Sequence, residues 1–145
     1  MKHYIHYGTK KFNPYFFAKI INIPYRAKPD GGFWASPVDK ELFTWEKWCE
    51  VEGFCEYNPE KSITFHLAEN ARILYLTCKE DLDAVPDQYK LYDKRITILD
   101  FEALQGEYDA VEAYAGSDGY INSHLYTWDC DSILIMNPKI IEFEQ

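Results

Sequence analysis

The sequence has few cysteines, no long apolar run and no apolar signal region at its start. Its 145 residues include four cysteines, Cys49, Cys55, Cys78 and Cys130, and none forms a Cys-x-x-Cys pair or stands at zinc-ligand spacing from a histidine. No stretch of about 20 apolar residues is present to cross a bilayer. The opening residues MKHYIHYG carry no apolar signal region. We therefore expect a cytoplasmic protein with reduced thiols, without a metal site and without a membrane partner.

Two nucleotide-binding signatures are missing, and positive charge is scarce. There is no Gly-x-Gly-x-x-Gly and no P-loop, so hydride transfer on a Rossmann fold and phosphoryl transfer have no support. The 15 Lys and Arg residues face 24 Asp and Glu residues, for a net charge of −9. An acidic surface repels phosphate backbones and anionic lipids, which disfavours non-specific binding to nucleic acid. The clustered positive charge consists of Lys10, Lys11, Arg26 and Lys28.

What the sequence contains suits a single domain over residues 1–145. The apolar share of 47% and the charged share of 27% are ordinary for a globular protein, and no repeat or linker interrupts the chain. Strands are predicted over 3–7, 32–36, 62–67, 72–76, 110–114 and 132–136. Short helices are predicted after the capping residues Asn13, Thr44, Asp81 and Asp100. The Asn13 helix is expected to turn Phe16, Phe17, Ile20 and Ile21 toward the core, and the Thr44 helix is expected to stop near Gly53. Strands that follow one another without a helix between them favour an α+β fold over a doubly wound parallel one.

Two short segments combine features of a binding site for a flat polar ligand. The first predicted strand ends in His6-Tyr7-Gly8-Thr9, where a ring with a donor and an acceptor precedes a residue that lets a ligand approach the backbone. The second begins after two glycines and reads Phe33-Trp34-Ala35-Ser36. Strand alternation puts Trp34 and Ser36 on one face, a suitable wall for an aromatic ring. The alternatives are a strand that ends at a glycine turn and an ordinary core strand.

A third segment places carboxylates at the beginning of an apolar strand. Asp129 and Asp131 flank Cys130 just before residues 132–136 and are expected to share one face of an extended chain. Carboxylates at such a place stabilise positive charge on a ligand. The alternative is a charged turn that prevents pairing between sheet edges.

Taken in order, these three segments resemble the ADP-ribosyltransferase superfamily, in its diphtheria-toxin/PARP-like branch. That branch has a first strand of the form His-[Tyr/Gly]-[Gly/Ser/Thr]. It has a second strand like residues 32–36, and an acid before a late apolar strand that ends in [Asp/Asn]-Pro, as Asn137-Pro138 does here. The stretch Tyr108-Asp109-Ala110-Val111 resembles a motif found just upstream in many members. The resemblance spans almost the whole chain and implies a split mixed β-sheet with short flanking helices.

The resemblance also implies roles for individual residues. His6, beside Tyr7, would bind the adenosine ribose of NAD⁺, and the Gly8 backbone, with Thr9 beside it, would bind the nicotinamide carboxamide. Phe33 or Trp34 would line the nicotinamide pocket, with Ser36 at its edge. The late acid would contact the nicotinamide ribose. Most relatives carry Glu there and have an offset to Asn-Pro about one residue shorter, so Asp131 is the first candidate, Asp129 the second and Glu112 the third.

The chemistry explains why a carboxylate is needed. Cleavage of the bond to nicotinamide leaves an oxocarbenium-like ribosyl centre and a neutral leaving group. A positioned carboxylate near that cation and a clamp on both ends of the dinucleotide therefore supply the catalysis. The expected activity is mono-ADP-ribosylation of a macromolecular acceptor, a protein or RNA/DNA, by a small bacterial or phage effector. Such proteins include toxins of toxin–antitoxin pairs, with an antitoxin or inhibitor protein as partner, and proteins of phage defence.

Other functions stay open at this point. The absence of Glu at the late acid position favours a non-catalytic interaction protein on the same scaffold. A cysteine hydrolase would use Cys49 or Cys130 with His66 or His124. The polar segment 115–123 is either an acceptor-contacting loop, as the resemblance implies, or a plain hairpin loop. His124, Tyr126 and Trp128 alternate just beyond it and would form an aromatic face for a base or a side chain.

Overall fold

The computed structural model describes residues 1–24, 26–53, 57–93 and 96–143, and in this part the chain is a mixture of short strands and short helices. The strands are β1 Tyr4–Tyr7, β2 Phe33–Pro37, β3 Ser62–Leu67, β4 Ile73–Leu76, β5 Lys90–Asp93, β6 Ile96–Leu99, β7 Ala110–Tyr114, β8 Asp131–Ile135 and β9 Ile141–Phe143. The helices are α1 Trp45–Glu52, α2 Lys79–Asp83, α3 Phe101–Leu104 and α4 Gly119–His124. The predicted α+β class is confirmed at this level.

Seven strands form one mixed sheet, in the order β4-β7-β8-β2-β1-β3-β9. Its pairs are antiparallel except for β4 with β7, which run parallel. β5 and β6 form a separate two-stranded antiparallel hairpin. This order makes β1, β2 and β8 neighbours, although more than 90 residues of sequence separate β2 from β8.

The sheet carries a hydrophobic core on each face. Because Phe33 pairs with Ile135 and Trp34 with Leu134, successive residues of β2 join different cores. Phe33, Ile133 and Ile135 pack with Tyr4 and Phe65 on one face. On the other face, Leu134 packs with the helices, with Trp34 against this second core.

The sheet opens locally between β1 and β2. The paired residues are Tyr4 with Pro37 and Ile5 with Ser36. At the next position of β1, the His6 ring lies 2.5 Å from the Trp34 carbonyl, measured from its Nδ1. Since a carbonyl only accepts, Nδ1 carries the proton that it donates. The side chain of His6 thus takes the place of the next backbone hydrogen bonds.

Local sequence signals set several helix ends as expected. α1 follows the N-cap Thr44 and ends at Gly53, whose φ of 69° is the left-handed conformation that glycine adopts readily. α3 is capped by the Asp100 carboxylate, which accepts from Ala103 N at 3.1 Å. The helix predicted after Asn13 is a single 3₁₀ turn, Pro14–Phe16, capped by the Asn13 side chain. Of the apolar side chains predicted to face inward from it, Ile20 is buried and Ile21 is 52% exposed.

Other local predictions are wrong. Asp81 was expected to precede its helix, but it lies within α2, where its carboxylate accepts from the backbone N–H and the hydroxyl of Thr77. Residues 119–124 form helix α4, capped by Asp118, instead of a hairpin loop. His124 therefore ends a helix, and Trp128 is 2% exposed in a 3₁₀ turn, so the predicted alternating aromatic face does not form.

Two cysteines are free and one is bonded. Cys78 and Cys130 are free thiols, as expected. Cys49 is disulfide-bonded, so the expectation of reduced thiols is wrong for it. Cys55 lies outside the described residues.

Candidate functional site

The three segments singled out in the sequence line one cavity of about 230 Å³. β1 contributes Ile5, His6 and Tyr7, and β2 contributes Trp34, Ala35 and Ser36. The approach to β8 contributes Trp128, Asp129 and Cys130, and the strand itself Ser132. Lys28 and Trp45 complete the lining. We call this the ring pocket.

Tryptophans from three parts of the chain form much of the wall of the ring pocket. The rings of Trp34 and Trp128 meet edge to face, with centroids 4.8 Å apart at 76°. Trp128 is fixed because its Nε1–H donates to the Ala27 carbonyl at 3.0 Å. Trp45 stacks on Trp48 with centroids 5.0 Å apart at 21°, and its backbone N–H donates to the Ser36 hydroxyl at 3.2 Å. Flat apolar faces held this firmly suit a planar ring.

The histidine of the first segment is held in one orientation. Besides its bond to the Trp34 carbonyl, the His6 ring packs on Phe33 with centroids 4.2 Å apart. Tyr7 donates its hydroxyl to Glu46 at 3.1 Å. Burial and the Glu46 carboxylate raise the pKa of Tyr7 to about 12, so the phenol is protonated at neutral pH.

Three predicted site residues lie outside the lining of the ring pocket. The Gly8 amide already donates to the Lys61 carbonyl at 2.7 Å. Thr9 uses its hydroxyl on the Lys11 carbonyl at 3.0 Å. Phe33 faces the opposite core, so of the two aromatic candidates on β2 it is Trp34 that lines the pocket.

Asp131, the first candidate acid, is a buried structural group. Strand alternation puts it on the face opposite to Ser132. Its carboxylate accepts from Phe43 N at 2.8 Å, from the backbone N–H groups of Gly116 and Ser117 at 2.9 Å each, and from the Ser117 hydroxyl. With 0% exposure and four donors, Asp131 ties the segment before α1 to the segment after β7.

Glu112, the third candidate, also lies on the opposite face. It pairs in register with Ile133 and is 0% exposed. Its carboxylate is held by Lys2, by the Tyr4 hydroxyl at 2.5 Å and by the Tyr114 hydroxyl at 3.2 Å.

Asp129 is the candidate acid that lines the ring pocket. It has φ 62° and ψ −38°, and the Cys130 N–H donates across it to the Trp128 carbonyl at 2.6 Å. This is a γ-turn of the strained kind, and Asp129 is the one non-glycine residue with positive φ in the described part of the chain. Within that same part its carboxylate has no hydrogen-bond or ion-pair partner. Strain of this type gathers at functional sites.

The thiol in the pocket is poorly suited to nucleophilic attack. Cys130 is 2% exposed, and its sulfur lies 3.2 Å from the Ser132 hydroxyl. Burial raises the pKa of the Cys130 thiol to about 11, which keeps it protonated at neutral pH. His124 bonds to the Tyr120 carbonyl, and His66 bonds to Glu142 on β9. The hydrolase hypothesis therefore has no Cys–His pair around Cys130.

Two further cavities continue the ring pocket. One, of about 700 Å³, shares Lys28 and Trp34 with it and adds Arg26. The Lys28 ammonium lies 4.7 Å from the Trp34 ring centroid. The other, of about 320 Å³, shares Ile5, Tyr7 and Ser36 with the ring pocket. A ligand larger than one ring thus has space on both sides.

Among the polar and aromatic lining residues, sequence reasoning did not identify Lys28, Trp45 and Ser132 as part of the site. Alternation along β8 could have found Ser132, because it faces the side opposite to Asp131. Trp45 and Lys28 enter through tertiary packing and leave no local signal.

Comparison of the chain with family models, with curated proteins and with solved structures finds no match. In the described ranges, no helix has the length and apolar character needed to cross a membrane. The same ranges hold no group of three or more His, Cys, Asp or Glu residues that could hold a metal ion.

Proposed function

We propose that this protein binds NAD⁺ in the ring pocket and is a mono-ADP-ribosyltransferase, with Asp129 as the acid that stabilises the reacting ribose. The observation that carries this proposal is the convergence of His6, Trp34 and Asp129, from distant parts of the sequence, on one cavity. The sequence resemblance had assigned ligand contact to these same three segments.

The binding step rests on the shape and lining of the pocket. Nicotinamide is a flat ring, and Trp34, which packs edge to face with the buried Trp128, offers it apolar surface. A volume of about 230 Å³ suits one ring and its sugar, not a whole dinucleotide. The remainder of NAD⁺ extends into the adjoining cavities, with Tyr7 at the junction with the smaller one and His6 next to it in the ring pocket.

The chemical step rests on the position of Asp129. As the bond to nicotinamide breaks, positive charge develops on the ribose, and a nearby carboxylate stabilises it more in the transition state than in the ground state. Asp129 has no competing partner in the described part of the chain, whereas the carboxylates of Asp131 and Glu112 are fully engaged on the other face. Loss of one such electrostatic group typically lowers the rate by about 10²–10³-fold.

A second candidate function is favoured by Ser132. The pocket-facing position at the start of β8 is a serine, whose hydroxyl donates to the Cys130 carbonyl at 3.0 Å. A serine there supplies no negative charge to the ribose. An NAD⁺-binding interaction protein without transferase activity is therefore the alternative.

The acceptor and the biological setting belong to the same proposal. We propose a macromolecular acceptor, a protein or RNA/DNA, and a role as a bacterial or phage toxin, defence or host-modifying effector. An antitoxin or inhibitor protein would be the partner of a toxin, and such an effector would act in the cytoplasm.

The test measures NAD⁺ binding and nicotinamide release side by side. NAD⁺ binding is followed by tryptophan fluorescence and by calorimetry. Nicotinamide release is followed by chromatography, with cell lysate as the acceptor source, with and without nuclease. The key variant is Asp129→Asn, because Asn tolerates positive φ and leaves the backbone turn intact. Glu69→Gln removes an exposed carboxylate outside the lining of the pocket and serves as the matched control.

The expected result is lysate-dependent release that falls about 10²–10³-fold in Asp129→Asn, with NAD⁺ affinity nearly unchanged and Glu69→Gln like wild type. Binding without release by the wild type would favour the interaction protein. No binding at millimolar NAD⁺ would overturn both functions. Loss of release on nuclease treatment would identify a nucleic-acid acceptor.

A further inference from the structure

An aromatic cage lies on the face of the sheet opposite to the ring pocket. The ammonium of Lys2 is 5.6 Å from the ring centroid of Tyr4, 5.6 Å from that of Tyr75 and 5.7 Å from that of Tyr114. These distances are within the roughly 6 Å at which a cation is attracted to the face of an aromatic ring. Three rings around one cation form a site selective for ammonium groups.

The base of this cage is the carboxylate of Glu112. It is 0% exposed, forms an ion pair with Lys2, and accepts from the hydroxyls of Tyr4 and Tyr114 at 2.5 and 3.2 Å. The Lys2 ammonium also donates to the Tyr114 hydroxyl at 3.2 Å. A buried carboxylate without a cation is strongly destabilising, so the protein is stable only when a cation is bound at this site.

The residues that form the cage lie on strands, whereas Lys2 lies outside the sheet. Tyr75 pairs in register with Glu112 across β4 and β7, Tyr114 lies two residues further along β7, and Tyr4 is on β1. The walls are thus fixed by the sheet. Lys2 belongs to the short segment before β1, and its side chain is 40% exposed. Tyr75 is 44% exposed, so the cage is open to solvent beside its guest.

We propose that the cage of Tyr4, Tyr75, Tyr114 and Glu112 is a binding site for the ammonium of a lysine side chain on a partner polypeptide, with Lys2 as its resident and displaceable occupant. The ammonium must keep at least one N–H, because Glu112 and Tyr114 accept hydrogen bonds from it. A quaternary ammonium satisfies the rings but not these acceptors. The net charge of −9 favours approach of such a basic segment.

In the intact chain, Lys2 competes with any external ammonium. A ligand tethered by a short segment has an effective concentration in the millimolar range. Weak external ligands are therefore excluded until Lys2 is removed or until the partner adds contacts outside the cage. This makes removal of the Lys2 side chain the informative perturbation.

The experiment uses Lys2→Ala with n-butylammonium as the probe, which copies a lysine side chain. We expect Lys2→Ala to melt at a lower temperature than wild type. Butylammonium then raises its melting temperature saturably, by about 5 °C or more at about 100 times its Kd. Tetramethylammonium and sodium chloride at equal ionic strength have a much smaller effect. A short peptide with one lysine binds Lys2→Ala at least about tenfold more tightly than the intact chain, because Lys2 no longer competes.

Three controls decide the outcome. Lys10→Ala removes an exposed lysine elsewhere and responds to no cation. Lys2→Met removes the resident ammonium and keeps the apolar stem, so it keeps the test possible if Lys2→Ala fails to fold. The lysine peptide should bind Lys2→Met more tightly than wild type. It should bind the double variant Lys2→Met/Glu112→Gln more weakly than Lys2→Met, because the carboxylate at the bottom of the cage is then absent. Equal stabilisation by butylammonium and tetramethylammonium would overturn the proposed role of Glu112. No saturable response of any folded Lys2 variant would overturn the site.

Discussion

Replacement of Asp131 by alanine separates a structural carboxylate from a catalytic one. The change leaves the backbone N–H of Gly116 without its acceptor. The N–H groups of Phe43 and Ser117 lose their shorter bonds and keep only longer ones, to the Ser117 hydroxyl at 3.3 Å and to the Tyr114 carbonyl at 3.2 Å. An unsatisfied buried donor costs about 1–3 kcal/mol. One donor loses its only bond and two keep longer bonds, so we expect a loss of about 2–3 kcal/mol. This is a large part of the roughly 5–15 kcal/mol that stabilises a domain.

The assay is urea unfolding followed by circular dichroism, with Asp118→Ala as the control. The Asp118 carboxylate caps α4 through one bond, to Ile121 N at 2.9 Å, so its loss should cost about 1 kcal/mol. We expect Asp131→Ala to lower the urea midpoint clearly more than Asp118→Ala does. It should also weaken NAD⁺ binding, because Asp131 fixes the segment that leads to Trp45. A loss under about 1 kcal/mol, together with abolished nicotinamide release, would refute this reasoning and return Asp131 to the catalytic role.

Three further predictions follow from the site and its surroundings. Asp129→Gly removes the carboxylate and relieves the strained backbone. In urea unfolding, the free energy of unfolding should stay equal or rise by up to about 1–3 kcal/mol, while nicotinamide release falls. A clear loss of stability would contradict the assigned strain. The pKa of the Cys130 thiol is raised to about 11, so iodoacetamide at pH 7.5 should leave it unmodified in the native protein and alkylate it after unfolding. Mass spectrometry would detect the difference. Rapid alkylation of the native protein would reopen the hydrolase hypothesis. Burial raises the pKa of the Asp109 carboxyl, but hydrogen bonds from Asn137 and Arg72 outweigh burial, so the pKa is lowered overall. The ionised carboxylate therefore stabilises the folded protein at pH values above the unfolded pKa of about 3.9. This stabilisation is lost as the pH falls through the folded pKa. The stability difference between wild type and Asp109→Asn in thermal melts should therefore shrink from pH 6 to pH 3, and a constant difference would contradict this.

Local signals predicted most of the strands and two of the helix starts. Alternating or continuous apolar residues marked β3 and β8, and the pair Thr44 and Gly53 marked both ends of α1, because capping is decided within one helical turn. The hairpin of β5 and β6 and strand β9 were missed. α4 was also missed, since Gly119, Asn122 and Ser123 are weak helix formers and tertiary contacts decide their conformation.

The segments that line the ring pocket were predicted, and the carboxylate that lines it, Asp129, was the second candidate after Asp131. Each segment carries its chemistry in adjacent residues, so His6, Trp34 and the pair Asp129 and Asp131 could be selected from sequence. The choice between the two acids needed the face of β8. Asp129 lies in a γ-turn outside the strand, so the assumption that both acids share one face does not hold.

By itself, the sequence determined the α+β class, the capped ends of α1 and the three segments that line the ring pocket. These depend on periodicity and on side chains that act on neighbouring backbone groups. Tertiary structure alone decided that β1, β2 and β8 are neighbours, that Trp45 and Lys28 join the pocket, and that Asp131 and Glu112 face away from it. The physical reason is that strand order and side-chain environment depend on contacts between residues far apart in sequence. Burial of the two cores and hydrogen bonding of the buried carboxylates outweigh local conformational preferences.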